Sequence, residues 1–172
     1  MIRLTATLAL MAATAAPALA QNRDMPAPQR LSAVTYARMA GAGDTYEKES
    51  SQLVLASATD PEVRRFAAMM MADHAQTTAA LLRGVKDASI SAAPRVLDKQ
   101  VRMLRSLRRA SESKRERVYM DQQVKAHEDA LALHQAYATY GDQPTLRAAA
   151  QSAVPIVQAH LTEARRIRDA MR

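Results

Sequence analysis

The stretch "TDPEVRRFAAMMMADHAQTTAALLRGV", Thr59 to Val85, carries the pattern that decides the fold. Thr59 or Asp60 can cap a helix. Pro61 suits its first turn, and Glu62 suits the positive end of the helix dipole. Residues then recur at three- and four-residue steps, which predicts an amphipathic helix with one inward stripe: Val63, Phe66, Met70, His74, Thr77, Leu81 and Val85.

The same helical periodicity continues through most of the chain. No segment alternates with a two-residue period for long enough to be a strand, so the sequence predicts an all-α four-helix bundle. An extra basic helix is expected in the crossover between the second and third long helices. The first predicted helix ends near Ala58, and the second follows Pro61. The other three cover about Arg95 to Arg109, Lys114 to Tyr140 and Thr145 to Met171.

The N-terminus has the three regions of a secretory signal peptide. Residues 1–20 contain a basic start, a short apolar run and the cleavage site Ala18-Leu19-Ala20. Cleavage after Ala20 predicts a periplasmic or secreted protein with no transmembrane segment. It lowers the net charge from +7 to +6, because one basic residue and no acid are removed. Residues 21–30 are expected to be a flexible leader, and residues 31–172 a single domain.

Composition excludes several classes of function. The chain has no cysteine, so thiolate chemistry and cysteine-ligated zinc are excluded. Aromatic residues make up 3%, which argues against base stacking, and no nucleic acid is expected as a partner. No glycine-rich phosphate loop is present. The oligomeric state is left open.

Several titratable residues fall on the apolar stripes. An uncompensated charge inside a bundle costs several kcal/mol, so these groups should be paired, hydrogen-bonded, neutral or bound to an ion. The residues in question are Glu47, His74, Glu116, His127, His134 and His160.

Two interpretations follow. The favoured one is a non-catalytic protein whose Glu47 and Glu116 accept hydrogen bonds from histidines and from Tyr119 in a buried polar network. The alternative is a metal-binding or metal-dependent redox protein with one interior site for iron, manganese or copper. Its expected ligands are Glu47, His74, His127 and His160, supported by Asp73, His134 and Glu163.

The sequence supports neither a di-iron pattern nor a copper(I) pattern fully. A di-iron bundle needs Glu-x-x-His on two helices, and none of the histidines has Glu three residues before it. A copper(I) site could use the thioethers of Met39, Met70 and Met120 together with His74. Methionine is, however, also an ordinary core residue.

The segment from Arg95 to Arg117 is strongly basic, with nine cations and three acids. Outside the cytoplasm, this charge could bind an anionic envelope lipid or polymer. A solvated helix face is the simpler interpretation. The candidate binding residues are Arg95, Lys99, Arg102, Arg105 and Arg109.

Three long stretches resemble the bacterial family called domain of unknown function 4142: "MAGAGDTYEKESSQLVLASATDPEVRRFAAMMMADHAQTTAALL", "VYMDQQVKAHEDALALHQAYATYGD" and "LRAAAQSAVPIVQAHLTEARRI". The resemblance implies a ferritin-like bundle, export and an association with stress tolerance, but no established activity. The family pattern has polar residues at Glu47, Asp73, His74, Glu116, Tyr119, His127 and His160. The sequence "KRERVYM" departs from it, because it lacks a Phe and has Glu116 where the family usually has Asp.

Overall fold

The computed structural model describes residues 31–92 and 95–171. The predicted signal peptide, residues 1–20, and the predicted leader, residues 21–30, lie outside the described residues. Five α-helices and no strand occur in the two described ranges, which confirms the all-α prediction. The helices are α1 (Ala33–Leu55), α2 (Pro61–Asp87), α3 (Asp98–Arg109), α4 (Glu112–Tyr140) and α5 (Pro144–Ala170).

The four long helices form the bundle. α1 and α2 pack as one hairpin, α4 and α5 pack as a second, and the hairpins join through contacts of α1 with α4 and of α2 with α5. The basic α3 lies in the connection between the hairpins and contacts α1 and α4. None of the helices that the structure describes is long and apolar enough to cross a membrane.

Side-chain caps mark the starts of α1 and α2, where Ser32 and Asp60 accept hydrogen bonds from backbone N–H groups. Asp60 caps α2 by accepting hydrogen bonds from the backbone N–H groups of Glu62 and Val63, as predicted. Gly141 is the C-cap residue of α4, and with a φ of −57° it does not adopt the left-handed conformation that is common at helix ends. Glycine is favoured there because a Cβ would lie 2.5 Å from the Tyr137 ring.

The start of the predicted basic helix needs correction. α3 begins at Asp98 and not at Arg95, and Val101 within it is 38% exposed. α5 runs through Pro155 without ending there, and Pro155 lies on the exposed face.

The interior consists of two apolar clusters with a polar layer between them. The upper cluster is built around Tyr36, Ala37, Leu81, Val85, Tyr137, Leu146 and Ala150. The lower cluster is built around Val54, Phe66, Met70, Tyr119, Met120, Leu161 and Ile167. Between them on the four long helices lies the histidine layer: Asp44, Glu47, His74, His127 and His160.

Candidate metal centre

Three helices each contribute one buried histidine to the middle of the bundle. His74 comes from α2, His127 from α4 and His160 from α5, and all three are at most 4% exposed. The ring centroids lie 5.8 Å apart for His74 and His127 and 5.5 Å apart for the other two pairs. One nitrogen of each ring lies within 4.8 Å of the corresponding nitrogens of the other two.

The outward nitrogen of each imidazole is held by a hydrogen-bond partner. His74 Nδ1 lies 2.9 Å from Asp44 Oδ1, and His160 Nε2 lies 2.8 Å from Asp73 Oδ2. His127 Nδ1 donates to the backbone carbonyl of Gln123 at 2.8 Å. These contacts fix the orientation of each ring, as carboxylates and carbonyls do for histidines that bind metal.

Asp44 is itself held in place by α2. Its carboxylate accepts hydrogen bonds from the hydroxyls of Thr77 and Thr78, at 3.1 and 2.9 Å, besides its contact with His74. Three donors therefore position one buried carboxylate, and the carboxylate in turn positions the imidazole.

The inward nitrogens have no such partner. His74 Nε2, His127 Nε2 and His160 Nδ1 are buried and make no hydrogen bond within the described part of the chain. Glu47 Oε2 in the same layer and Gln123 Oε1 one turn before His127 also have no hydrogen-bond partner in the described residues. A buried polar atom without a partner costs about 1–3 kcal/mol, so several of them in one layer call for an explanation.

Burial sets the charge state of most of this layer. Burial and the charge of His74 lower the pKa of His127 to about 3, and burial also lowers the pKa of His160. Burial would lower the pKa of His74 as well, but the hydrogen bond with Asp44 and the charge of Glu47 raise it overall. Burial raises the pKa of Glu47 to about 7.

The donor set fits a first-row transition-metal ion. Neutral imidazoles suit zinc, copper, iron and nickel, and three histidines with one open position form a known zinc arrangement. Metal–nitrogen bonds of about 2.0–2.1 Å put the nitrogens of a tetrahedral site roughly 3.3 Å apart. Because the nitrogens lie within 4.8 Å of one another, each ring would need to move inward by no more than about 1 Å.

Glu47 lies beside the three histidines and not at their centre. Its Oε1 is 3.9 Å from His127 Nδ1, and the residue is 4% exposed. The structure thus brings together all four of the residues predicted as metal ligands, with Glu47 in a flanking position. It also assigns Asp73 to His160 on α5 and not to its sequence neighbour His74.

Three predicted network residues lie elsewhere. Glu116 accepts from the backbone N–H groups of Thr59 and Asp60, so the expectation that it accepts from a histidine is wrong. The reason is its place in the first turns of α4, level with the α1–α2 loop. The Tyr119 hydroxyl bonds to Ser51 at 2.8 Å, and His134 bonds to the Tyr36 hydroxyl at 3.0 Å in the upper cluster.

The other supporting residues also separate from the histidines. Glu163 binds Arg166 at the surface, where its side chain is 39% exposed. Met39 is 40% exposed, whereas Met70 and Met120 belong to the lower cluster, so the three thioethers do not gather around His74.

Asp44 is the residue of the histidine layer that the sequence pattern missed. It stands three residues before Glu47, so the two acids share one face of α1. An acid one turn before a buried acid, within the small-residue run "AGAGD", is the signal that could have identified it.

The predicted basic surface divides into two parts. Lys99 pairs with Asp129 of α4. Arg102, Arg105 and Arg109 instead line an open groove of about 430 Å³ together with Lys114, and these four cations make no ion pair with an acid among residues 31–92 and 95–171.

The fold and this site define an all-α helical bundle with a buried cluster of three histidines between its helices. A family model described as "Domain of unknown function (DUF4142)" matches residues 12–167. The chain belongs to this family, as the resemblance of its helical segments indicated. No curated protein and no solved structure matches the chain.

Proposed function

We propose that this protein is an exported helical-bundle protein that binds one transition-metal ion at His74, His127 and His160. The observation that carries the proposal is the convergence of three buried imidazole nitrogens that have no hydrogen-bond partner in the described chain. Glu47 is available beside them as a further oxygen ligand or as a proton acceptor for a metal-bound water.

The hydrogen bonds of the histidines favour a metal site over a polar network whose groups satisfy one another without a metal ion. A network without metal would pair the histidines with one another, with Glu47 or with Glu116. Instead, each histidine has its partner on one nitrogen, and its other nitrogen is buried without a partner in a cluster of three close imidazoles. This is the arrangement that second-sphere partners produce around a metal ion.

The test is elemental analysis of mature protein that has been exported natively and purified without a histidine tag. We expect close to one equivalent of a first-row transition metal per chain. His74→Gln, His127→Gln and His160→Gln should each lose it. The matched control is His134→Gln, which changes the fourth buried histidine but lies in the upper cluster beside Tyr36.

Two results would contradict the proposal. One is a metal-free protein that takes up no zinc, iron, manganese or copper when these are added. The other is equal metal loss from the His134→Gln control, because that would indicate a general effect on folding.

The basic groove supports a second proposal, namely binding of phosphate-rich anions of the cell envelope. Arg102, Arg105, Arg109 and Lys114 present four cations on one open surface, with Ser106 and Val118 between them. Clustered cations near a membrane surface contribute about 1 kcal/mol each toward anionic lipid.

Co-sedimentation with phosphatidylglycerol vesicles and with phosphatidylcholine vesicles tests this surface, and soluble polyphosphate is the competitor. Binding only to the anionic vesicles, weakened by salt and by Arg102/Arg105/Arg109→Ser, is the expected result. A control with the same loss of charge is Arg38/Arg83/Arg165→Ser on three other helices. Binding to polyphosphate but not to vesicles would identify a polymer ligand, and binding to neither would end the proposal.

A further inference from the structure

A cavity adjoins the histidine layer. It encloses about 450 Å³ between α1 and α4 and extends under the N-terminal part of α3. Glu47, His74 and His127 line it on the side of the histidine layer, and Leu97 and Met103 line it from the α3 side. We call this space the α3 chamber. Its volume lies within the range of small-molecule sites in proteins, about 300–1,000 Å³.

The walls of the α3 chamber favour an apolar ligand. Most of the lining side chains are aliphatic or thioether groups from α1, α3 and α4 and the segments before α1 and α3, including Leu31, Met39, Leu97, Met103, Ala130 and Leu133. Such a lining with a few polar groups at one end is the usual composition of a ligand pocket.

The charges of the α3 chamber disfavour an anion. Three acids line it, Asp44, Glu47 and Asp129, against one cation, Lys99. Lys99 already pairs with Asp129 near the surface, where both side chains are more than 40% exposed. The lining side chains therefore provide no free cation for an anionic head group near Glu47, and the metal ion alone would have to balance its charge.

Gly43 leaves the space next to Glu47 open. It lines the α3 chamber one turn before Glu47 on α1, and a Cβ built on it would meet no atom within 4 Å. Glycine inside a helix is about 1 kcal/mol less favourable than alanine, so helix stability does not explain its presence. A side chain here would instead extend into the chamber.

We propose that the α3 chamber is the ligand site of the metal centre and that it takes a neutral molecule with an apolar body and one nitrogen donor. The donor binds the metal at the position that three histidines leave open, and the body fills the chamber. This inference rests on the proposed function, because the metal supplies the contact for the head group.

The experiment uses the mature protein loaded with cobalt(II), whose visible absorption reports a change of ligands. 4-Phenylimidazole supplies a donor with an apolar body, and imidazole supplies the donor alone. We expect 4-phenylimidazole to change the spectrum at a concentration at least tenfold lower than imidazole. Elemental analysis after each titration confirms that the cobalt has remained bound.

Two variants test whether the chamber itself holds the apolar body. Gly43→Leu on α1 and Ala130→Leu on α4 each fill part of it from a different helix, so that one remains informative if the other folds poorly. Each substitution should weaken the binding of 4-phenylimidazole at least tenfold, change the binding of imidazole little and leave the cobalt bound. Ala148→Leu, on the exposed face of α5, adds the same side chain away from the chamber and should have no effect.

The outcomes separate the two proposals. A protein that binds no cobalt contradicts the metal centre and the ligand site together. A protein that holds one cobalt but binds both probes equally well, or neither, overturns the ligand site and leaves the metal centre standing. Unchanged binding of 4-phenylimidazole by both chamber variants also overturns it.

Discussion

In the upper cluster, the Tyr36 hydroxyl lies 3.0 Å from His134 Nδ1, and the Tyr137 hydroxyl donates to Asp142 at 2.8 Å. In the histidine layer, less than two helix turns away along α4, His127 also has one bonded nitrogen, but its second nitrogen is buried without a partner. The same four helices build both regions. The difference therefore lies in the local arrangement and not in a general inability of the fold to satisfy buried polar atoms.

This comparison indicates where stability and function reside. The apolar clusters contribute stability through burial, with Leu146 and Phe66 at most 2% exposed. The histidine layer leaves polar atoms unpartnered, which lowers stability unless a ligand compensates. The clusters should therefore respond to loss of volume, and the layer should respond to metal.

The largest expected effect is in the upper cluster. Leu146→Ala should lower the free energy of unfolding by about 2–5 kcal/mol, because it leaves a cavity at a fully buried position. Metal stoichiometry should not change, since His160 lies 14 residues further along α5, roughly 21 Å at 1.5 Å per residue. Denaturant unfolding and elemental analysis measure the two quantities.

The control for this change is Leu82→Ala on α2, where the side chain is 43% exposed and little stability should be lost. Loss of metal by Leu146→Ala while the protein remains folded would show that the two regions are not separate.

The next effect concerns the histidine layer. Adding metal at 100 times its Kd should raise the free energy of unfolding by about 2.7 kcal/mol. His127→Leu should abolish that increase. In the metal-free protein, His127→Leu should stay within about 1 kcal/mol of the parent, because the lost hydrogen bond to the Gln123 carbonyl is offset by removal of a buried nitrogen that has no partner.

Paired denaturant titrations with and without zinc measure both values. A metal-free His127→Leu protein that loses several kcal/mol would favour the self-satisfied network instead. The histidine layer would then contribute stability without metal, as the apolar clusters do.

The sequence predicted much of the fold because its signals are local. The cap at Asp60 and the first-turn Pro61 located the start of α2, and the three- and four-residue steps identified the inward faces. These signals placed His74, His127 and His160 inside the bundle on three different helices.

The relative positions of the helices could not be predicted in the same way. Periodicity gives the face of a residue but not its height against a neighbouring helix, so Glu116 looked equivalent to Glu47 although it lies at the α1–α2 loop. Asp73 was predicted only as a supporting residue of the site, and the sequence did not show that its partner is His160 on α5. Such pairings depend on how the two hairpins dock, which no single helix encodes.

The next prediction has a smaller expected effect and concerns the residues that orient the imidazoles. Asp44→Asn keeps the shape of the side chain but removes the charge that faces His74, and it should weaken metal binding by about 10- to 100-fold. Asp142→Asn is the matched control, because this aspartate holds Tyr137 in the upper cluster. Competition titrations with a chelator measure both affinities, and equal weakening would contradict a specific role for Asp44.

The smallest effect compares two helical glycines. Gly43→Ala should raise the free energy of unfolding by about 1 kcal/mol, because alanine favours the helix and the new Cβ meets no atom within 4 Å. Gly84→Ala should gain less, since its Cβ would lie 2.9 Å from Leu146 Cδ2 and a fully buried leucine must move. Thermal unfolding of the metal-free proteins measures the difference. Equal gains would mean that the upper cluster is packed as loosely as the α3 chamber.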